Sequence, residues 1–183
     1  MCRLHALEIM IRRRPEDGPR PREDCEMPEQ DKPIPPSKVL IVDDQPQMVE
    51  LLQAYLEDLP QVTVLTAGDG EQALQKVASD QPDLVLLDIM MPRMTGFEVC
   101  RRMKADPATR TIPVIMVTAL DEMADIERGI DVGSDDYLVK PIKKVELVSR
   151  VSTLLRLRHL QNELERTLTY LEELERALGQ PNK

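Results

Sequence analysis

Leu84-Val85-Leu86-Leu87-Asp88-Ile89-Met90-Met91-Pro92-Arg93-Met94-Thr95-Gly96 is the stretch from which the architecture follows. Four consecutive aliphatic residues closed by a carboxylate read as a strand buried on both faces, the pattern of a parallel sheet. The turn-forming Pro92 and Gly96 make the following residues a loop, and a helix is predicted from about Gly96 to Lys104.

Moving outward in both directions, the same alternation repeats. Val39 to Val42 reads as a buried strand ended by Asp43-Asp44, and a helix follows from about Pro46, with proline at its tolerated first position. Met48, Leu51, Leu52, Tyr55, Leu56 and Leu59 fall on one face of that helix, and Pro60 stops it. Val62 to Thr66 is a second strand, and Asp69 to Ala78 a helix with Ala73, Leu74 and Val77 inward. After the segment quoted above, Val114 to Val117 is a strand ending at Thr118, Glu122 to Val132 a helix, and Asp136 to Val139 a strand ending at Lys140. Strict strand and helix alternation predicts right-handed crossovers and a five-stranded parallel sheet covered on both faces.

In such a sheet every C-terminal strand end lies along one edge, where ligands bind. The first strand delivers Asp43 and Asp44 there, the third Asp88, the fourth Thr118 and the fifth Lys140. Taken singly, these residues have plainer uses: a helix cap, a turn hydroxyl, a surface lysine before Pro141. Taken together they form a chemical set. Three converging carboxylates repel one another unless a cation compensates, and Mg²⁺, which prefers oxygen ligands and bridges carboxylate to phosphate, suits Asp43, Asp44 and Asp88. A carboxylate such as Asp88 can also act as a nucleophile toward phosphorus, while Lys140 and Thr118 supply a charge and a hydroxyl to phosphoryl oxygens.

These residues resemble the receiver domain of two-component response regulators: Asp43-Asp44 after the first strand, Asp88 to Gly96 after the third, Thr118-Ala119 after the fourth and Lys140-Pro141 after the fifth. The resemblance covers roughly residues 38 to 156. It implies a flavodoxin-like α/β fold with strand order 2-1-3-4-5, and phosphoryl transfer to Asp88 from a histidine kinase or phosphotransfer protein. It further implies that Asp43 and Asp44 form the acidic metal pair with the Met90 main-chain carbonyl as a further ligand, and that Thr118 and Lys140 contact the phosphoryl group. Tyr137 matches the switch aromatic, and the Lys140–Pro141 bond is expected to be cis. Met90 and Leu120 stand where phosphoryl lifetime is tuned; both are bulky and apolar, and are expected to slow attack by water.

The chain of 183 residues has room for one such domain and extensions. Residues 1–36 hold seven of the fifteen prolines among charges and read as a disordered leader, with Arg12 to Arg14 a solvated run. The receiver is assigned to 37–156, a coiled-coil-like helical extension to 157–178 and a tail to 179–183. From Lys143 to Leu178 no proline or glycine interrupts a long helix, in which Val145, Val148, Val151 and Leu155 are expected to cover the sheet. Beyond Arg156, Leu157, Leu160, Leu164, Leu171, Leu174 and Leu178 recur at alternating three- and four-residue steps, with Thr167 polar in the pattern and Leu168 beside it. Arg158, Arg166 and Arg176, interleaved with glutamates, read as its exposed face. The stripe predicts a parallel homodimer or a helical protein partner.

Composition excludes several classes. Residues 38–142 carry 9 basic and 19 acidic groups, a net of -10, and the chain has no Trp and one Phe. Both features disfavour nucleic acid. Three dispersed cysteines suggest neither a disulfide framework nor zinc, no run reaches membrane-spanning length, and a cytoplasmic location is expected. Only five residues follow Leu178, so no output domain is expected, and signalling would run through dimerisation or protein contacts. The protein is read as a phosphoacceptor that catalyses only its own phosphorylation and dephosphorylation. The alternatives are a regulatory receiver fragment of a longer signalling enzyme, and a Mg²⁺-dependent phosphohydrolase. The second lacks the catalytic acid expected two residues after Asp88, where Met90 stands.

Overall fold

A computed structural model of the chain describes residues 34–119 and 131–178. Strands β1 (Ser37–Val42), β2 (Val62–Ala67), β3 (Leu84–Asp88), β4 (Val114–Thr118) and β5 (Asp136–Val139) form one parallel sheet in the order β2-β1-β3-β4-β5. The described helices are α1 (Pro46–Leu56), α2 (Gly70–Asp80), α3 (Gly96–Ala105) and α4 (Lys144–Leu178). Residues 1–33 of the leader, the tail, Leu120 and nearly all of the helix expected over 122–132 lie outside the described residues, whereas Ile34, at the leader's end, is buried in the core.

Between their polar ends the three inner strands are apolar, because both of their faces are covered. Successive side chains of a strand point to opposite faces, so each strand divides its residues between two cores. Leu40, Val42, Val85, Leu87, Val114 and Met116 pack with Ala73 and Val77 of α2 and Val99, Cys100 and Met103 of α3. Val39, Ile41, Leu84, Leu86, Ile115 and Val117 pack on the other side with Leu52 and Leu56 of α1 and Leu147, Val151 and Leu155 of α4. Each fully buried leucine or isoleucine stabilises the fold by about 1.5–3 kcal/mol. The edge strands β2 and β5 are less completely buried.

Local signals set the helix starts. Asp69 accepts the Gln72 N–H at 2.9 Å and Thr95 the Glu98 N–H, satisfying donors that the first turn leaves open. Proline opens α1 where its missing N–H is harmless. Two inward assignments need correction. Leu51 of α1 is 38% exposed, and Val145 of α4 is 83% exposed while Leu147 is fully buried. A helix of 3.6 residues per turn places the ridge Leu147, Val151, Leu155 on the sheet, and Val145 falls off it.

Strand order decides where a ligand can enter. From β1 the chain passes to β2 on one side, and from β3 it passes to β4 on the other, so the connections part between the C-terminal ends of β1 and β3 and leave a crevice there.

Candidate functional site

Asp88 ends β3 and Asp43 directly follows β1, its neighbour in the sheet, so both carboxylates open into that crevice. Asp43, Asp44 and Asp88 each offer an oxygen within 4.8 Å of the others, with Asp43 and Asp88 buried and Asp44 exposed. Lys140, at the end of β5, reaches across with its ammonium 2.8 Å from Asp88 Oδ1 and 3.2 Å from Asp43 Oδ2. It crosses β4, whose final residue Thr118 is buried and accepts the Lys140 main-chain N–H at 2.7 Å. Four of the residues singled out for chemistry in the sequence, Asp43, Asp44, Asp88 and Lys140, are therefore brought together, and Thr118 ends the strand between Asp88 and Lys140.

The electrostatics follow from burial. Burial pushes the Asp88 carboxyl above its ordinary range against the pull of the Lys140 ammonium, and the Asp43 charge adds to the rise. Burial also opposes the charge on Lys140, but the two carboxylates outweigh it and its pKa is raised. Asp43 Oδ1 accepts the Gln45 N–H at 2.8 Å, whereas the buried Asp88 Oδ2 has no hydrogen-bond partner among the described residues. A buried, unpartnered carboxylate oxygen beside two further carboxylates fits a hard cation and a phosphoryl group.

The loop after Asp88 is held in place by its own sequence. The Gly96 N–H donates to the Ile89 carbonyl at 3.0 Å, and a Cβ on Gly96 would stand 2.3 Å from the Asp88 carbonyl oxygen. Only glycine lets the start of α3 approach the Asp88 backbone so closely. Arg93 takes the left-handed conformation (φ 70°), and its guanidinium is 2.8 Å from Asp69 Oδ2 at the cap of α2.

Met90 is 61% exposed at the pocket mouth, Tyr137 points outward from β5 at 41% exposure, and the Lys140–Pro141 bond is cis. Arg158 departs from expectation: instead of an exposed face it donates from Nη1 to the Thr111 carbonyl at 3.1 Å. Beside it, His159 Nε2 lies 2.8 Å from Ser37 Oγ. Neither contact was legible in the sequence, although His159 stands four residues after Leu155 on the ridge that faces the sheet.

Leu157, Leu160, Leu164, Leu168, Leu171 and Leu174 are all exposed. Among the described residues no helix is long and apolar enough to cross a membrane.

Comparison with known proteins matches residues 39–152 to a family model described as the response regulator receiver domain. Over 128 residues the chain is 47% identical to Response regulator PleD of Caulobacter vibrioides, covering 70% of this chain and 28% of that protein. It is 42% identical over 119 residues to the alkaline phosphatase synthesis transcriptional regulatory protein PhoP of Bacillus subtilis, covering 65% of this chain and 48% of that one. Among solved structures, the signal receiver domain of a signal transduction histidine kinase from Syntrophus aciditrophicus is 38% identical with a TM-score of 0.61, covering 65% of this chain and 89% of that one. The receiver domain of Francisella response regulator 1452 is 31% identical with a TM-score of 0.61, covering 66% and 97%.

Proposed function

Because the chain belongs to the response regulator receiver domain family, we propose that Asp88 accepts a phosphoryl group from a phosphohistidine on a histidine kinase or phosphotransfer protein. An Asp88 carboxylate oxygen attacks phosphorus, the new P–O bond forms as the P–N bond to imidazole breaks, and the imidazole leaves with the bonding pair. The observation that carries this reading is the buried Asp88 with one oxygen on Lys140 and the other unpartnered.

Asp43, Asp44, Asp88 and the Met90 carbonyl would hold Mg²⁺, which when bound supplies charge to offset the oxygens of the transferring group. Lys140 keeps the Asp88 carboxylate anionic and oriented before transfer, then offers its ammonium to a phosphoryl oxygen. Thr118 contributes its hydroxyl to another such oxygen, and its movement toward that oxygen opens the space into which Tyr137 turns. No general base is needed for attack by a carboxylate. The phosphohydrolase alternative gains no support, since Met90 occupies the position of a second catalytic acid.

Output on this reading passes through protein contacts. The exposed leucines of α4 pair with the same stripe of a second copy in a parallel coiled coil, at positions 157, 160, 164, 171 and 174. In that register the flanking Glu163 faces Leu168 and Tyr170 faces Glu175 of the other copy, so no like charges meet. The acidity of residues 38–142 argues against direct nucleic acid contact by the receiver. The chain spans 28% and 48% of the two curated relatives named above. In a longer protein the same helix would serve as the connecting rod to an effector, making this chain the regulatory part of a multidomain enzyme or regulator.

The test is incubation of the full chain with Mg²⁺ and acetyl phosphate, followed by mass analysis of the hydroxylamine-labile acyl phosphate. Modification at Asp88 is expected, and its loss in Asp88→Asn. Unchanged labelling of that variant would overturn the assignment.

A further inference from the structure

Helix α4 changes surroundings within one turn. Leu147, Val151 and Leu155 are fully buried against the sheet, whereas Leu160, Leu164 and Leu171 are exposed. The buried residues recur every four positions, and the next step along that ridge is His159. There the ridge runs out over the N-terminal end of the sheet, away from the carboxylates, and its contacts become polar.

His159 Nε2 is 2.8 Å from the oxygen of Ser37, which opens β1 and is buried. The Ser37 hydroxyl has a single proton, and it is donated to the Pro35 carbonyl at 2.6 Å. The imidazole must therefore be the donor, from Nε2, and the serine oxygen accepts. One residue earlier Arg158 donates to the carbonyl of Thr111, just ahead of β4. Strands β1 and β4 are separated in the sheet by β3. A helix tied to two entry points on either side of an intervening strand is restrained in rotation about its own axis, as a single tie would not restrain it.

We propose that the His159–Ser37 and Arg158–Thr111 contacts form a clasp that sets the rotational phase of the outgoing helix against the receiver. At 3.6 residues per turn, Leu160 and Leu164 lie about 100° and 140° around the axis from His159. With His159 held on the domain, the leucine stripe is turned off it and presented to a second copy. A rotational slip would carry the stripe toward the domain's own rim. The use of the stripe rests on the pairing proposed above; the clasp is a property of one chain.

The experiment uses the full chain with Cys2 and Cys25 replaced by serine, and nitroxides on cysteines introduced at the exposed Gln75 and Glu173. Labelled chain is diluted in excess unlabelled chain so that electron double resonance reads distances within one chain. Wild type is expected to give one narrow peak. His159→Ala and Ser37→Ala, checked for folding by circular dichroism, are expected to lose it, and His159→Gln, which keeps an N–H donor, to retain it. The wild-type peak in either folded alanine variant would overturn the clasp. Light-scattering mass on the same samples separates the two readings. A monomer with a narrow wild-type peak removes the pairing and leaves the clasp, and a dimer with unchanged peaks in the alanine variants does the reverse.

Discussion

The Lys140 ammonium stands 2.8 Å from Asp88 and 3.2 Å from Asp43, a single cation shared by two buried carboxylates that come from neighbouring strands. The pair is unbalanced, since two negative charges face one positive, and the exposed Asp44 adds a third. That imbalance is one that a divalent cation would offset.

Replacing Lys140 by methionine leaves Asp43 and Asp88 buried without their counter-ion. The expected cost is about 3–5 kcal/mol in urea unfolding at neutral pH, with part of it restored by Mg²⁺. A variant as stable as wild type without Mg²⁺ would show that the lysine is not needed to hold the two acids together.

Asp88→Asn should act in the opposite direction. Burial, working against the Lys140 charge, raises the Asp88 pKa above the ordinary 3.8, so folding favours its protonated form. That contribution is fully present below the unfolded value and is lost as pH rises through the folded one. At pH 7 the ionised side chain therefore opposes folding, and the asparagine variant should unfold at an equal or higher urea concentration than wild type. The difference should vanish toward pH 3.8. A lower midpoint at pH 7 would contradict the sign.

Mg²⁺ binding should stabilise the folded chain in proportion to the logarithm of its concentration, by about 2.7 kcal/mol at a hundredfold excess over Kd. Asp44→Asn removes an exposed candidate ligand without disturbing the core. It should keep the unfolding temperature in chelator while losing the rise with Mg²⁺, as followed by thermal unfolding.

Gly96→Ala should cost about 2–4 kcal/mol. Its new methyl would meet the Asp88 carbonyl oxygen at 2.3 Å, and that oxygen belongs to backbone that cannot yield without moving Asp88. Urea unfolding and acetyl phosphate labelling should fall together.

Cys100 is buried in the core shared with α2 and α3, and burial pushes its thiol up to about 11. Peptide mapping after iodoacetamide at pH 8 should find Cys100 unmodified in the folded chain and modified in urea. Rapid alkylation under native conditions would mean that α3 opens readily.

Much of the fold was legible because the signals are local. Five apolar runs, each ended by a polar residue, predicted the strands, and the turn residues between them placed the ends of the four described helices to within about three residues, the largest miss being the first helix, which stops at Leu56 and not at Leu59. Asp43, Asp44, Asp88, Thr118 and Lys140 were legible as one group because a parallel sheet must bring all its C-terminal ends to one edge. The misassignments at Leu51 and Val145 arose because a stripe wider than its contact leaves some apolar residues outside it, and the pattern alone does not mark the boundary. Arg158 was misread for a related reason: a charge beside a glutamate-rich segment looks solvated until the helix is seen to pass over the entry of β4.

What the sequence determined by itself is therefore the set of elements and the chemistry at their ends, since periodicity, proline placement and residue type act within a few positions. Tertiary structure alone decided the sharing of Lys140 between two acids, the orphaned oxygen of Asp88 and the fastening of His159 to Ser37 across 122 positions of sequence. Each of these depends on the angle at which packed elements meet. That angle is set jointly by all the side chains in the two cores, and no local stretch encodes it.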